Sequence, residues 1–154
     1  MTTYAVALRH YIERSLRKDF GLPPLQPDAD GDYAVAGEGA VVWTRLALNH
    51  EPPLVRVWAP AADGVKKSLA LFAEINELNI GLGQVRCTWF ERTVLVSAEV
   101  EIESVQPGQL GRLVAHVGAT ARHVGELIAT VHGGVPVAIP ADADQEPADR
   151  NDQP

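Results

Sequence analysis

The chain has 154 residues, a single cysteine and a net charge of −7. That length suits one domain with a sizeable core, and the lone Cys87 excludes an intrachain disulfide or a cysteine-rich zinc site. The acidic balance excludes a general nucleic-acid binder, which needs a basic surface against phosphate. The charge is uneven. Asp142, Asp144, Glu146, Asp149 and Asp152 against Arg150 give residues 141–154 a balance of −4, leaving −3 for the other 140 residues. There is no apolar leader and no apolar run long enough to span a bilayer, so a cytoplasmic protein with no membrane contact is expected.

Residues 3–19 place Ala5, Leu8, Ile12 and Leu16 on one helical stripe, with Arg9, Arg14, Arg17 and Lys18 mainly off it. This predicts an amphipathic helix packed by one face. Gly21, Pro23, Pro24 and Pro27 then hold an extended connection. Asp28-Ala29-Asp30-Gly31-Asp32 resembles part of a calcium loop. The bidentate glutamate such a loop needs is absent, since Gly37 stands at that position, and the segment reads as an acidic turn. Three strands follow at 32–36, 40–48 and 54–59, the first two joined by Gly37-Glu38-Gly39 and the third ended by Pro60. Connections this short favour an antiparallel meander.

Residues 63–82 predict a central helix. Asp63 is its expected N-cap. Leu71, Ile75, Leu78 and Leu82 form the apolar stripe, with Val65, Leu69, Phe72 and Asn76 in the adjoining row. Strands at 84–90 and 93–103 meet at a Glu91-Arg92 tip. In the second of them Val94, Val96, Ala98, Val100 and Ile102 alternate with Leu95, Ser97, Glu99, Glu101 and Glu103, which means one buried face and one wet face. Residues 107–132 predict a last helix with a heptad-like seam: Leu110, Val114, Val117, Ala121, Val124, Ile128 and Val131. Residues 135–139 suit either a short edge strand or an apolar segment lying on the sheet. From Pro140 onward no large apolar residue remains, so a single domain over 1–139 and a disordered acidic tail over 140–154 are expected.

Nothing in the chain assembles a catalytic constellation. His116 and His123 lie two turns apart on one helix, about 10.5 Å by helical rise, too far to share a metal ion. Glu99, Glu101 and Glu103 read as a solvated strand face with no nucleophile or metal site nearby. Cys87 falls mid-strand with Val85 and Trp89 and reads as a small buried hydrophobe. Gly81-Leu82-Gly83 precedes a strand and cannot cradle phosphate at a helix N-terminus. No catalytic residue, metal or cofactor is therefore assigned, and an enzyme is not expected.

Two other patterns point to contacts. If Val55, Val57 and Ala59 face the core, Arg56 and Trp58 face away; if Leu46 and Leu48 face the core, Trp43 and Arg45 face away too, and Arg86 is a further candidate for the same sheet face. Tryptophan and arginine are the residues most enriched at contact hot spots. The competing reading pairs the arginines with Glu99 and Glu101 across strands and packs the tryptophans under helices. In the last helix Gly111, Gly118 and Gly125 recur every seven residues. Each interior glycine costs the helix about 1 kcal/mol against alanine, so the row implies close approach of another backbone, either within the domain or from a second copy.

The order helix, three strands, helix, two strands, helix resembles the type III secretion chaperone-like fold and, within it, the YbjN-like proteins. Three landmarks carry the resemblance: Asp30-Gly31-Asp32 before the first strand, Pro52-Pro53-Leu54-Val55-Arg56-Val57 opening the third, and Ile75-Asn76-Glu77-Leu78-Asn79 closing the central helix. It covers roughly residues 3–132. It implies an α+β fold with an antiparallel sheet in the order α-β-β-β-α-β-β-α, and a small, non-enzymatic, often dimeric protein that binds a peptide segment of a partner. The resemblance supplies no catalytic residue. The alternative is a regulatory or assembly subunit that acts through stable oligomerisation without a peptide client.

Overall fold

A computed structural model describes residues 2–37 and 39–137. Its elements are α1 (Thr3–Phe20), β1 (Tyr33–Gly37), β2 (Ala40–Ala47), β3 (Leu54–Asp63), α2 (Leu69–Gly81), β4 (Arg86–Phe90), β5 (Thr93–Glu101), α3 (Gln109–His132) and β6 (Val135–Pro136), with a 3-10 turn at Ile102–Ser104. The fold is α+β, as expected. Alternating valines build the sheet: Val35, Val42, Val55, Val57, Val94 and Val96 are almost wholly buried, while the residues between them face away. All pairings are antiparallel, in the order β1-β2-β3-β5-β4, and β6 pairs β3 beyond the start of β2.

The helices share one face of this sheet. The α3 seam of Leu110, Val114, Val117, Ala121, Val124 and Ile128 is buried against it, whereas Val131, at the C-terminal end, is 57% exposed. Ile12 and Leu16 of α1 join the same core, and the Tyr11 hydroxyl donates to the Val105 carbonyl at 3.1 Å. Leu71 and Ile75 of α2 complete it at the β4 edge, where Phe72 meets Trp89 edge-to-face. The imidazole of His132, at the end of α3, contacts the Glu74 carboxylate and ties α3 to α2. No helix among the described residues is long and apolar enough to cross a membrane.

The structure corrects two element boundaries. Pro60 does not end β3, which runs on to Asp63 with an irregularity between Pro60 and Ala62. The last β2–β3 pair is Trp43↔Trp58, so Pro60 lies where one flank of β3 is already open, and a residue without an N–H is tolerated at such an edge. The central helix consequently starts later. Its N-cap is Ser68, whose hydroxyl accepts from the Leu71 N–H at 3.0 Å; Asp63 belongs to the strand. Val65 is buried in the connection, donates its N–H to the Arg92 carbonyl at 2.8 Å and accepts from the Trp89 indole at 3.0 Å. The adjoining row loses its helical phase with it: Leu69 is 88% exposed and Asn76 is exposed.

The glycines of α3 are filled from the chain itself. A Cβ on Gly125 would overlap the carbonyl oxygen of Ala61 in β3; one on Gly118 would sit 3.1 Å from a Val42 methyl; one on Gly111 would sit 2.6 Å from the Asp19 side chain. The Gly111 N–H also donates to the Asp19 carboxylate at 3.0 Å. All three contacts lie within one chain, and the row is what lets α3 lie close on β3 and α1. Of the expected edge strand over 135–139, Val135 and Pro136 pair with β3 and the Val137 N–H donates to the Ala61 carbonyl at 2.9 Å. The expectation of a disordered tail over 140–154 concerns residues outside those described.

Candidate partner-binding face

Period-two alternation turns Trp43, Arg45, Arg56, Trp58 and Arg86 to the side of the sheet away from the helices. Strand register then brings them together. Trp43 lies opposite Trp58, Trp58 opposite Ser97, and Ser97 opposite Arg86, one row across four strands. The next row runs Arg45, Arg56, Glu99. None of the five residues is buried, and no described helix covers them. Val41, Pro60 and Leu95 extend the apolar part of this face beside the tryptophan pair.

Its charges are ordered. Arg45 and Arg56 face each other across β2 and β3, and each is neutralised on its own flank. The Arg45 Nε donates to Asp32 Oδ1 at 2.5 Å and its Nη2 to Asp32 Oδ2 at 2.6 Å, a two-point geometry that fixes the guanidinium plane. The hydrogen bond to Asp32 raises the Arg45 pKa above its ordinary value, so this charge is permanent. The same guanidinium lies 5.5 Å from the centre of the Trp58 ring, within range for attraction to the ring face. Arg56 Nε donates to Glu99 Oε1 at 2.6 Å. Arg86 is exposed and makes no ion pair among the described residues. The competing reading of the sequence thus holds for Arg56 alone; Arg45 takes Asp32, and the tryptophans lie on the side the helices leave open.

Asp32 comes from the acidic turn. Asp28 Oδ1 accepts from the N–H groups of Asp30 and Asp32, both at 2.9 Å. The three carboxylates offer oxygens within 4.8 Å of one another. Asp32 is committed to Arg45 and Asp28 to the turn, so the cluster does structural work. Cys87 is buried, and burial pushes its thiol up to about 11, which leaves almost no thiolate near neutrality.

Sequence reasoning missed two features. The first is Asn79, at the end of α2. Its side-chain Nδ2 donates to the Cys87 carbonyl at 2.9 Å and its Oδ1 accepts from the Cys87 N–H at 2.7 Å. The amide thereby imitates a strand residue and closes the outer edge of β4 at Cys87. Its place in the Ile75–Asn79 landmark was the only signal available. No such plug is seen at β1, whose outer edge carries no pairing strand among the described residues. The second is the outward side of α2, where Leu69 is 88%, Phe72 36% and Ile80 75% exposed. The sequence pattern had marked Leu69 and Phe72 for the core.

The fold has counterparts. The chain belongs to the family described as T3SS (YopN, CesT) and YbjN peptide-binding chaperone 1, whose model matches residues 7–139. Among solved structures it is similar to a chain of the ExsC–ExsE complex, with a TM-score of 0.62 and 16% identity, over 82% of this chain and 96% of that one. It is also similar to a chain from the Yersinia pestis type III secretion chaperone SycH in complex with a stable fragment of YscM2. There the TM-score is 0.58 and the identity 16%, over 73% of this chain and 96% of that one. At such identity these two likenesses establish the fold. No curated protein sequence matches the chain.

Proposed function

We propose that this protein is a non-enzymatic, cytoplasmic chaperone-like module that binds a peptide segment of a partner protein, and that it works as a homodimer. The observation that carries the reading is the helix-free sheet face. In a chain of a peptide-binding chaperone family, it aligns Trp43, Trp58 and three arginines in two adjacent rows. An extended segment can lay apolar side chains on the tryptophan pair and meet the arginines with carboxylates or backbone carbonyls. The open β1 edge offers main-chain pairing to the same segment. Both similar structures are described as complexes with another protein, ExsE in one and a YscM2 fragment in the other, which supports a protein client here.

The exposed side of α2 supports the dimer. Leu69, Phe72 and Ile80 lie along one side of a two-layer domain, and apolar surface of this kind is what a second copy buries. That surface also favours the second reading, an assembly subunit that oligomerises without a client.

Comparison of wild type with Trp43→Ala/Trp58→Ala in pull-downs from native lysate, read by mass spectrometry, separates the two. Wild type retains partners that the folded double variant loses. Recovery of the same partners by both removes the sheet face from the proposal. Light scattering at micromolar concentration gives a mass twice the 16.6 kDa of one chain, and Leu69→Glu/Ile80→Glu halves it. A wild-type monomer excludes the dimer.

A further inference from the structure

A cleft on the flank of α1 lies apart from the outer sheet face and is lined by different chemistry. We propose that it binds a free apolar α-amino acid of about leucine size. The ligand's carboxylate meets Arg9, its ammonium meets Glu13, and its side chain lies on Val6, Leu25 and Pro27.

The connection after α1 shapes the cleft. Leu22 and Leu25 pack on the core, which brings the segment alongside the helix. Pro23, Pro24 and Pro27 hold it extended, so it does not close onto α1. Between the two is a cleft of about 290 Å³, lined by Val6, Arg9, Glu13, Leu25, Pro27 and, from β1, Tyr33. Ligand cavities run from about 300 to 1,000 Å³. This one stands at the small end and suits a molecule of amino-acid size.

The cleft holds two opposite charges that do not satisfy each other. Arg9 and Glu13 are one turn apart on α1, about 6 Å along the axis, yet they form no ion pair with each other. The Arg9 guanidinium lies against Gly31, where a Cβ would sit 2.9 Å from Nη1. Its Nε is wholly buried and meets no acceptor among the described residues. Glu13 leans the other way, toward Arg17, the favoured order for a carboxylate and a cation on a helix. Even there its partners stay at 3.7 Å for Arg17 Nη1 and 3.9 Å for His10 Nδ1, beyond hydrogen-bond distance. The Glu13 side chain is only 20% exposed. Charges withdrawn from water are stabilised by partners that hydrogen-bond to them.

The pair defines the ligand. An anion alone satisfies Arg9 and is opposed by Glu13; a cation alone meets the reverse. An α-amino acid has both charges on adjacent groups and answers both walls at once. Tyr33 lies at the base of the site and is 5% exposed. Burial first, then the Glu13 charge, raise its pKa, while Arg9 acts in the opposite sense. The phenol therefore stays protonated near neutrality and can donate to the carboxylate. Val6, Leu25 and Pro27 supply the apolar wall, which selects a hydrocarbon side chain over a charged one.

The test is a titration of the full chain, labelled with nitrogen-15, with L-leucine up to millimolar concentration. Amide signals of Arg9, His10, Glu13, Gln26 and Tyr33 should shift saturably, while those of Trp43, Trp58 and His123 stay in place. N-acetyl-L-leucine lacks the ammonium and L-leucinamide lacks the carboxylate, so each should bind about tenfold more weakly or worse. Arg9→Gln and Glu13→Gln should weaken L-leucine binding by a similar factor. The blocked ligands need no variant, so the test stands even where Arg9→Gln fails to fold. Absence of a saturable shift with L-leucine overturns the proposal. So does N-acetyl-L-leucine binding as tightly as L-leucine, which would make the cleft a site for a peptide C-terminus instead. The titration uses no client and leaves the outer sheet face untouched, so its outcome is independent of the peptide-binding reading.

Discussion

Alanine in place of each α3 glycine tests the packing of this fold at three points of one helix. The substitution is the same at Gly111, Gly118 and Gly125, and each gains about 1 kcal/mol of helix propensity. What differs is the obstacle. At Gly125 the new methyl overlaps the Ala61 carbonyl oxygen and sits 2.9 Å from its carbon. That is main chain of a central strand held by β5 and β6, with little freedom to move. Overpacking costs about 1–3 kcal/mol and more against a rigid obstacle, so Gly125→Ala should lose about 2 kcal/mol net. At Gly118 the neighbour is a Val42 methyl at 3.1 Å, which yields by a few tenths of an ångström. Gain and cost there should cancel to within about 0.5 kcal/mol. At Gly111 the methyl displaces the exposed Asp19 carboxylate and breaks its hydrogen bond to the Gly111 N–H. The loss of that bond, about 1 kcal/mol, should offset the propensity gain. Urea unfolding followed by circular dichroism, at fixed protein concentration because association shifts apparent stability, gives the three values. At this chain length each kcal/mol moves the midpoint temperature by about 2–4 °C. A Gly125→Ala protein as stable as Gly118→Ala would refute the close approach of α3 to β3.

The edge plug and the buried thiol give two further expectations. Asn79→Ala leaves the Cys87 N–H and carbonyl without protein partners and should cost about 1–2 kcal/mol. Asn79→Asp keeps the acceptor but sets a carboxylate against the Cys87 carbonyl, so it should not rescue. Hydrogen exchange at the Cys87 amide reads both, and unchanged protection in Asn79→Ala would remove the plug. Cys87 should react with a thiol reagent at pH 8 only after denaturation, because the site is closed and its thiol is pushed up from 9.0 to about 11. The same shift sets a pH dependence. Above pH 9 the unfolded chain releases this proton before the folded one. The stability it contributes is therefore complete below pH 9 and falls as pH rises toward about 11. Cys87→Ala should flatten that fall in pH-dependent urea midpoints.

Much of the fold was readable because its causes are local. A side chain's direction on a strand follows from counting residues, and that count put Trp43 on the same side of its strand as Arg45, and Arg56 on the same side as Trp58. The α3 seam was readable for the same reason, since a helical stripe is a property of spacing. The start of α2 was not. Asp63 and Ser68 are both sound N-caps, and the choice between them was made by β5 and β6, which pair with β3 as far as Ala62↔Val94 and Asp63↔Val135 and keep Asp63 in the strand. Moving the start displaced Val65 into a loop and turned Leu69 outward.

By itself, then, the sequence determined the order of elements, the buried and open sides of the strands, and the family landmarks. Tertiary structure alone decided how those pieces meet. It set Trp43 against Trp58, gave Arg45 to Asp32 instead of Glu99, spent the glycine row on Ala61, Val42 and Asp19, and put Asn79 against the Cys87 backbone. The physical reason is separation along the chain. Periodicity reports the direction of a residue's neighbours from local geometry, but a contact between residues tens of positions apart depends on strand register and helix docking, which the whole core settles together.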